Sequence, residues 1–190
     1  MQQTSFQDET FEKADFTAAC TFGEEYENCR FLHCDFSGAD ISNITFAECE
    51  FISCNLSTVK TAGTSLRDAR FKDCKLMGIH FHTCNDFLFS VEFENCLLNM
   101  SSFFKLPMKK TSFTGCSLRE VDFSETDLSE AKFDQCDFLG AFFDHTRLEK
   151  ADFRTAFNYM IDPENNRIKG AKFSAAGISG LLSRYQIDIE

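Results

Sequence analysis

Residues 111–153 read TSFTGCSLREVDFSETDLSEAKFDQCDFLGAFFDHTRLEKADF, and within them a large apolar residue returns at every fifth position. The series is Phe113, Leu118, Phe123, Leu128, Phe133, Phe138, Phe143, Leu148 and Phe153. Two places before each stands a slim residue: Thr111, Cys116, Val121, Thr126, Ala131, Cys136, Ala141, Thr146 and Ala151. A period of five fits neither the 3.6 of an amphipathic helix nor the 2 of a half-buried strand. If every fifth side chain points inward, the backbone turns a corner between one inward residue and the next. Four corners close a square coil of about 20 residues, and coils then stack at the usual strand spacing of roughly 4.8 Å. One coil cannot bury its own core, so stability comes from stacking.

Outward from this stretch the same phase runs through Phe6, Phe11 and Phe16, blurs around Thr21 and Phe22, and is firm from Tyr26 to Phe81, with a polar Thr61 at one centre. Thr61 predicts a locally thin core or a bound water. From Leu88 the centres are again five apart, but Phe81 to Leu88 is seven, so two extra residues should bulge within 82–87. Pro107 lacks a ladder donor and predicts an irregular corner. After Phe153 the spacing puts Asn158 and Pro163 at centres before Ile168 and Phe173 resume. Ser174 can cap a short helix in which Ile178, Leu181, Leu182 and Tyr185 follow helical spacing, weakened by Gly177 and Gly180. Ile187 and Ile189 alternate like a terminal strand. The expected organisation is a β-helix over 1–173 and a C-terminal helix and tail over 174–190, serving as a cap and a dimerisation element.

Of 190 residues 24 are Phe, and they fall mostly at repeat centres, which makes them core and not a stacking surface for bases. Eight of the ten cysteines occupy the slim inward slot, where a free thiol behaves as a compact apolar residue. Reduced thiols and a cytoplasmic location are therefore expected. No stretch approaches the length of a membrane span, and the first residues lack a signal pattern.

The formal net charge is −11, unevenly placed. Residues 1–52 carry −9, residues 53–119 carry +4, residues 120–152 carry −7 and residues 153–190 carry +1. At about 4.8 Å per coil, 120–152 spans roughly 8 Å, where duplex DNA would place about 5 charges. The acidic segment matches that density, so direct binding to nucleic acid is not expected and imitation of it is physically possible. The same acids would equally keep a β-rod soluble. No phosphate-cradling, dinucleotide, nucleophile-elbow or zinc-helix motif is present, and a convex rod offers no cleft for a catalytic pair. No enzyme activity and no cofactor are expected. His80, His82 and Cys84 are the only cluster that looks like metal ligands, and surface histidines are the plainer reading. Outward Leu32 and Ile52, one coil apart, together with Phe89, Phe104 and Leu139, are candidate contact residues.

The triplets CDF, VDF, TDL and ADF resemble the A(D/N)LXX centre of the pentapeptide repeat proteins. That resemblance implies an all-β, right-handed quadrilateral β-helix. The ending NYMIDPENNRIKGAKFSAAGISGLLSRYQIDIE is similar to the tail of the subgroup that contains quinolone- and albicidin-resistance proteins. Resemblance to that subgroup implies a homodimer joined through Ile178, Leu181, Leu182, Tyr185 and Ile187. It also implies a non-enzymatic DNA mimic binding a type II topoisomerase (DNA gyrase or topoisomerase IV), modulating it or protecting it from inhibitors. The partner-binding acids would be Asp122, Glu125, Asp127, Glu130, Asp134, Asp137, Asp144 and Asp152. The chain lacks the two long surface loops of that subgroup. A structural or adaptor rod for another protein is the alternative.

Overall fold

In the computed structural model, which describes residues 5–17 and 23–188, the chain is the four-sided parallel β-helix that the period implies. Four strands, Ser5–Gln7, Glu25–Glu27, Thr45–Ala47 and Ser65–Arg67, pair in parallel on one side at the N-terminal end. A nine-stranded parallel sheet runs along the adjacent side from Thr10–Glu12 to Lys172–Phe173. The other sides are joined by single parallel bridges such as Ser102↔Asp122 and Asp122↔Phe142. Thr21, Phe22 and Ile189, singled out in the sequence, lie outside the described residues.

The core is a set of ring columns. Along the nine-stranded side Phe31, Phe51, Phe71, Phe93 and Phe113 stack with centroids 4.7 to 5.3 Å apart. Around each coil the neighbouring centres meet edge-on, as Phe31 does Phe36 at 5.5 Å and 72°. Stacks along the axis and edges across it are the two arrangements that ring quadrupoles favour. Period five delivers both, because one coil presents its rings at successive right angles.

Two features of the repeat explain its other positions. The corner residue, two after most centres, has a left-handed φ, as at Asn28, Glu48, Lys110 and Glu130. Its side chain points away from the core, so the corner tolerates polar residues at a cost of about 1–2 kcal/mol each. The slim slot is more than small. Its hydroxyl or thiol donates to a carbonyl of the preceding coil, as Thr126 Oγ1 does to Phe103 O at 2.8 Å and Cys74 Sγ to Phe51 O at 3.2 Å.

Departures from the expected phase are local. Asn85 lies opposite Ser65, one ordinary coil later, but Val91 and not Phe89 lies opposite Ala69, so two extra residues enter between Asn85 and Val91. There Leu88, expected as a centre, is 62 % exposed beside exposed Phe87, and Phe89 turns into the core instead. Leu88 has a left-handed φ, which points it away. Pro107 breaks nothing: it bridges Asp127 in register, and Asp127 donates past it to Leu106 O at 3.0 Å. Thr61 is buried, with its hydroxyl bonded to His80 O and Thr83 Oγ1, both at 3.0 Å. Beside it the core thins to a void of about 10 Å³. Asn158 and Pro163 do not fill the last coil. Tyr159 and Ile161 do, and Asn158 turns outward to donate to Asp137.

The C-terminal segment is not one α-helix. Ser174 accepts from Gly177 N at 3.1 Å and opens a single 3-10 turn, followed by Ser179–Leu182 in α-helix and another 3-10 turn to Tyr185. Gly177 and Gly180 are what let it dock: a Cβ on the first would collide with the Tyr159 hydroxyl, on the second with the Tyr159 carbonyl. Ile161 N bonds Gly180 O at 3.0 Å, and Leu181 packs on the core. Among the described residues no helix is long and apolar enough to cross a membrane.

Candidate functional site

The coil-to-coil lag assigns every acid to a side, and the eight candidate acids do not share one. Asp127 and Glu130 lie on the side centred on Leu128, Asp134 and Asp152 on the nine-stranded sheet, and Asp137 on the side centred on Phe138. Asp122, Glu125 and Asp144 are the one group of three, linked through the Asp122↔Phe142 bridge and the Glu125 N to Asp144 O bond of 2.7 Å. Two residues missed in the sequence complete that side. Asn165 Nδ2 bonds Asp144, which brings the turn carrying Asp162 and Glu164 directly beneath it. Applying the lag to Asp122, Phe142 and Asp162, and to Ser124, Asp144 and Glu164, would have found them.

The repeat also gives the aspartates a structural task. Each Asp before a centre accepts the N–H two residues later, closing the turn: Asp122 from Ser124 at 2.9 Å, Asp127 from Ser129 at 3.0 Å, Asp137 from Leu139 at 3.2 Å and Asp152 from Arg154 at 3.2 Å. This is why Asp or Asn recurs there. Further partners then bond either oxygen, as Arg154 Nε does at Asp152, reaching Oδ1 at 2.9 Å and Oδ2 at 3.1 Å.

Most of the candidate carboxylates also meet cations, chiefly from neighbouring coils. Lys105 reaches Glu125 at 3.5 Å, Arg147 reaches Asp127 at 3.4 Å, Lys109 reaches Glu130 at 3.3 Å, and within one coil Arg154 reaches Asp152 at 2.7 Å. His145 sits 3.1 Å from Asp144, which is held below the usual carboxylate range by hydrogen bonds from His145 and Asn165. Asp122 and Asp134 have no cationic partner among the described residues. Asp137 is a different case. It is 8 % exposed and receives Arg119 Nε and Asn158 Nδ2, each at 2.7 Å. Burial alone would raise its pKa, but the bonds from Asn158 and Arg119 outweigh it and hold the carboxyl below its ordinary value. Asp137 is thus a structural carboxylate with no oxygen to spare.

Charge counted along the chain and charge seen around the perimeter therefore differ. On the nine-stranded sheet Arg30, Glu50, Arg70 and Glu92 alternate up one column, with contacts of 3.1, 3.9 and 3.4 Å. Lys72 and Glu94 pair at 2.8 Å beside them. Those charges cancel across that flat stretch. Near the N-terminus Asp8, Glu25, Glu27, Glu48 and Asp68 share the four-stranded side with Arg67 as the base among them. Toward the C-terminus Asp122, Glu125, Asp144, Asp162 and Glu164 share another.

Of the five tail residues, Ile178, Tyr185 and Ile187 are exposed while Leu181 and Leu182 are half-buried. Tyr185 donates to Glu164 at 2.8 Å, and Arg184 reaches Asp162 at 2.9 Å and Glu164 at 2.7 Å, so the tail is pinned to the acidic side. Beside it Leu139, Phe157 and Met160 are exposed and line an open groove of about 480 Å³ with Gly177 and Gly180. Of the other candidate contacts, Leu32 and Ile52 do lie directly paired, half-buried, and Phe104 is half-buried under the Lys105 ammonium. The His80 and His82 rings meet at 5.3 Å, and no group of three or more His, Cys, Asp or Glu among the described residues is placed to hold one metal ion.

No curated protein sequence matches the chain. Among solved structures, a trypsin-treated QnrB1 variant, described as a plasmid-mediated fluoroquinolone resistance protein, aligns over 99 % of this chain and 98 % of its own at 23 % identity and a TM-score of 0.48. Full-length QnrB1 aligns over 96 % and 100 % at 22 % identity and a TM-score of 0.43. HetL of Nostoc sp. strain PCC 7120, a pentapeptide repeat protein involved in heterocyst differentiation regulation, aligns over 91 % and 86 % at 15 % identity and a TM-score of 0.30. Residues 24–103 and 86–158 match the profile of the pentapeptide repeat region. With most of its coils inside that match, the chain belongs to the pentapeptide repeat family.

Proposed function

We propose that this protein is a non-enzymatic rod whose C-terminal acidic side imitates one strand of duplex DNA toward a type II topoisomerase, and that it modulates or protects that enzyme as a homodimer. The observation that supports this is the side bearing Asp122, Glu125, Asp144, Asp162 and Glu164. It holds five carboxylates against Lys105 and Arg184, a formal net of three negative charges counted over Asp, Glu, Lys and Arg. Two coil spacings span about 10 Å, over which one DNA strand places about three charges. The tail stands at the same end. Exposed Ile178, Tyr185 and Ile187 on the tail, and Leu139, Phe157 and Met160 along the groove beside it, offer apolar surface for the second copy. A cytoplasmic location follows from this target and from the free thiols.

The test is a gyrase supercoiling titration with and without a fluoroquinolone. The variant pair Glu125→Lys with Asp144→Lys reverses charge at positions that close no turn. Loss of two close charge pairs should weaken the effect by more than about tenfold. The control pair Glu27→Lys with Glu48→Lys, on the N-terminal acidic side, should leave it unchanged. No effect of the unaltered protein on gyrase or topoisomerase IV at micromolar concentration would refute the proposal.

A further inference from the structure

Along the chain Cys34, Cys54 and Cys74 form one group, each a coil after the last, and Cys96, Cys116 and Cys136 form another. The two-residue insertion joins them. It sets Leu97 and not Asn95 opposite Lys75, so the bridges run Asp35↔Asn55↔Lys75↔Leu97↔Ser117↔Asp137 without a break. The cysteines stand one place before these residues, and each carbonyl accepts the next rung: Leu97 N to Cys74 O at 2.9 Å crosses the join. Six thiols thus form one buried column, ending at Ala14 on one side and Ala156 on the other, with no member more than 2 % exposed. Each column thiol donates to a carbonyl of the coil before it, and Cys54 N donates to Cys74 Sγ at 3.4 Å. Thr126 and Ser101 make the same carbonyl bond with oxygen, and Val121 and Ala131 fill the slot without it. Nothing in the packing asks for six sulfurs in a row.

We propose that this column is a binding site for soft, two-coordinate metal cations, of which silver(I) is the type, each ion bridging two stacked cysteines. Three physical facts converge. Two metal–thiolate bonds of roughly 2.3 Å laid end to end span about 4.6 Å, close to the ~4.8 Å between coils. The side chains stand nearly perpendicular to the axis, so a bond along the axis leaves sulfur at about a right angle to its C–S bond. Each interior thiol has one sulfur above and one below and no third, a linear donor set that suits a soft cation and denies zinc its four ligands. Charge also balances. On binding, one S–H bond breaks and one S–Ag bond forms, the proton leaves for solvent, and the second sulfur donates a lone pair while keeping its proton. The product is neutral, as an apolar core requires. The pairs Cys34–Cys54, Cys74–Cys96 and Cys116–Cys136 give a capacity of three ions.

The experiment compares three reduced full-length proteins of unchanged fold by circular dichroism, titrated with silver nitrate in chloride-free buffer and weighed by native mass spectrometry. Cys54→Ala with Cys96→Ala and Cys136→Ala leaves three column thiols two coils apart. Cys34→Ala with Cys54→Ala and Cys136→Ala leaves the same number, now adjacent. Cys20, Cys29, Cys49 and Cys84 are common to all three and cancel. The unaltered protein should hold three more silver ions than the alternate variant, and the adjacent variant one more. Each comparison is repeated on protein refolded from urea with silver present, which removes any barrier to entry. Equal loading of the two variants, or of all three proteins, under both conditions would overturn the proposal.

Discussion

Phe142 and Phe143 are identical, adjacent and opposite in fate: 60 % exposed and 8 % exposed respectively. Replacing each with Ala tests the inward phase at single-residue resolution. Phe143 stacks on Phe123 at 5.4 Å and meets Phe138 at 5.5 Å and Phe153 at 6.2 Å. Burying such a ring contributes about 1.5–3 kcal/mol by area, and each aromatic pair about 0.5–1.5 more. With partial collapse of the cavity, Phe143→Ala should destabilise by about 4 kcal/mol. In a chain of this size that is roughly 8–16 °C of Tm. Phe142→Ala removes an exposed ring whose backbone, not its side chain, pairs with Asp122, and should change stability by less than about 0.5 kcal/mol. Urea unfolding followed by circular dichroism measures both. Two shifts within about 1 kcal/mol of each other, or a larger loss at Phe142, would mean that the every-fifth-residue axis is misplaced.

Three further outcomes are expected. Gly180→Ala puts a Cβ against Tyr159 and should free the tail at a cost of about 1–3 kcal/mol, seen as faster proteolysis after Tyr159; Ser179→Ala, one residue away and exposed, should not do so. Asp137 has its pKa lowered in the fold, so its stabilisation is full above its ordinary value near 4 and is lost as pH falls below it. Asp137→Asn should therefore cost about 1–3 kcal/mol at pH 7 and flatten the acid limb of the stability curve, and an unchanged limb would refute the assignment. Burial pushes the Cys49 thiol up to about 12, so its stabilisation is full below pH 9 and is lost as pH rises toward 12, by up to about 1.4 kcal/mol per pH unit. Cys49→Ala should lessen the alkaline loss of stability in a pH series of urea midpoints, and an unaltered slope would count against a buried neutral thiol there.

The core was legible in the sequence because one rule, an inward residue at every fifth place, repeats in contiguous chain. Phe113 to Phe153 needed no partner from elsewhere to declare themselves. The same rule failed where the chain leaves it for a few residues. Phe89 took the place expected of Leu88, and Tyr159 and Ile161 took those of Asn158 and Pro163, because a short detour is settled by whichever side chain reaches the void.

Which charges share a surface was not legible from their order along the chain. The eight candidate acids from Asp122 to Asp152 look like one block, yet they face four ways, and Lys or Arg meets five of them, mostly from adjacent coils. Asp162 and Glu164 join the acidic side only through the coil-to-coil lag, and six cysteines form one column only because an insertion lengthens that lag at a single place. The sequence by itself determined which side chains point in and which point out, a local property of each five-residue step. Stacking decided which outward residues are neighbours, because a contact with the next coil depends on the exact length of the chain between.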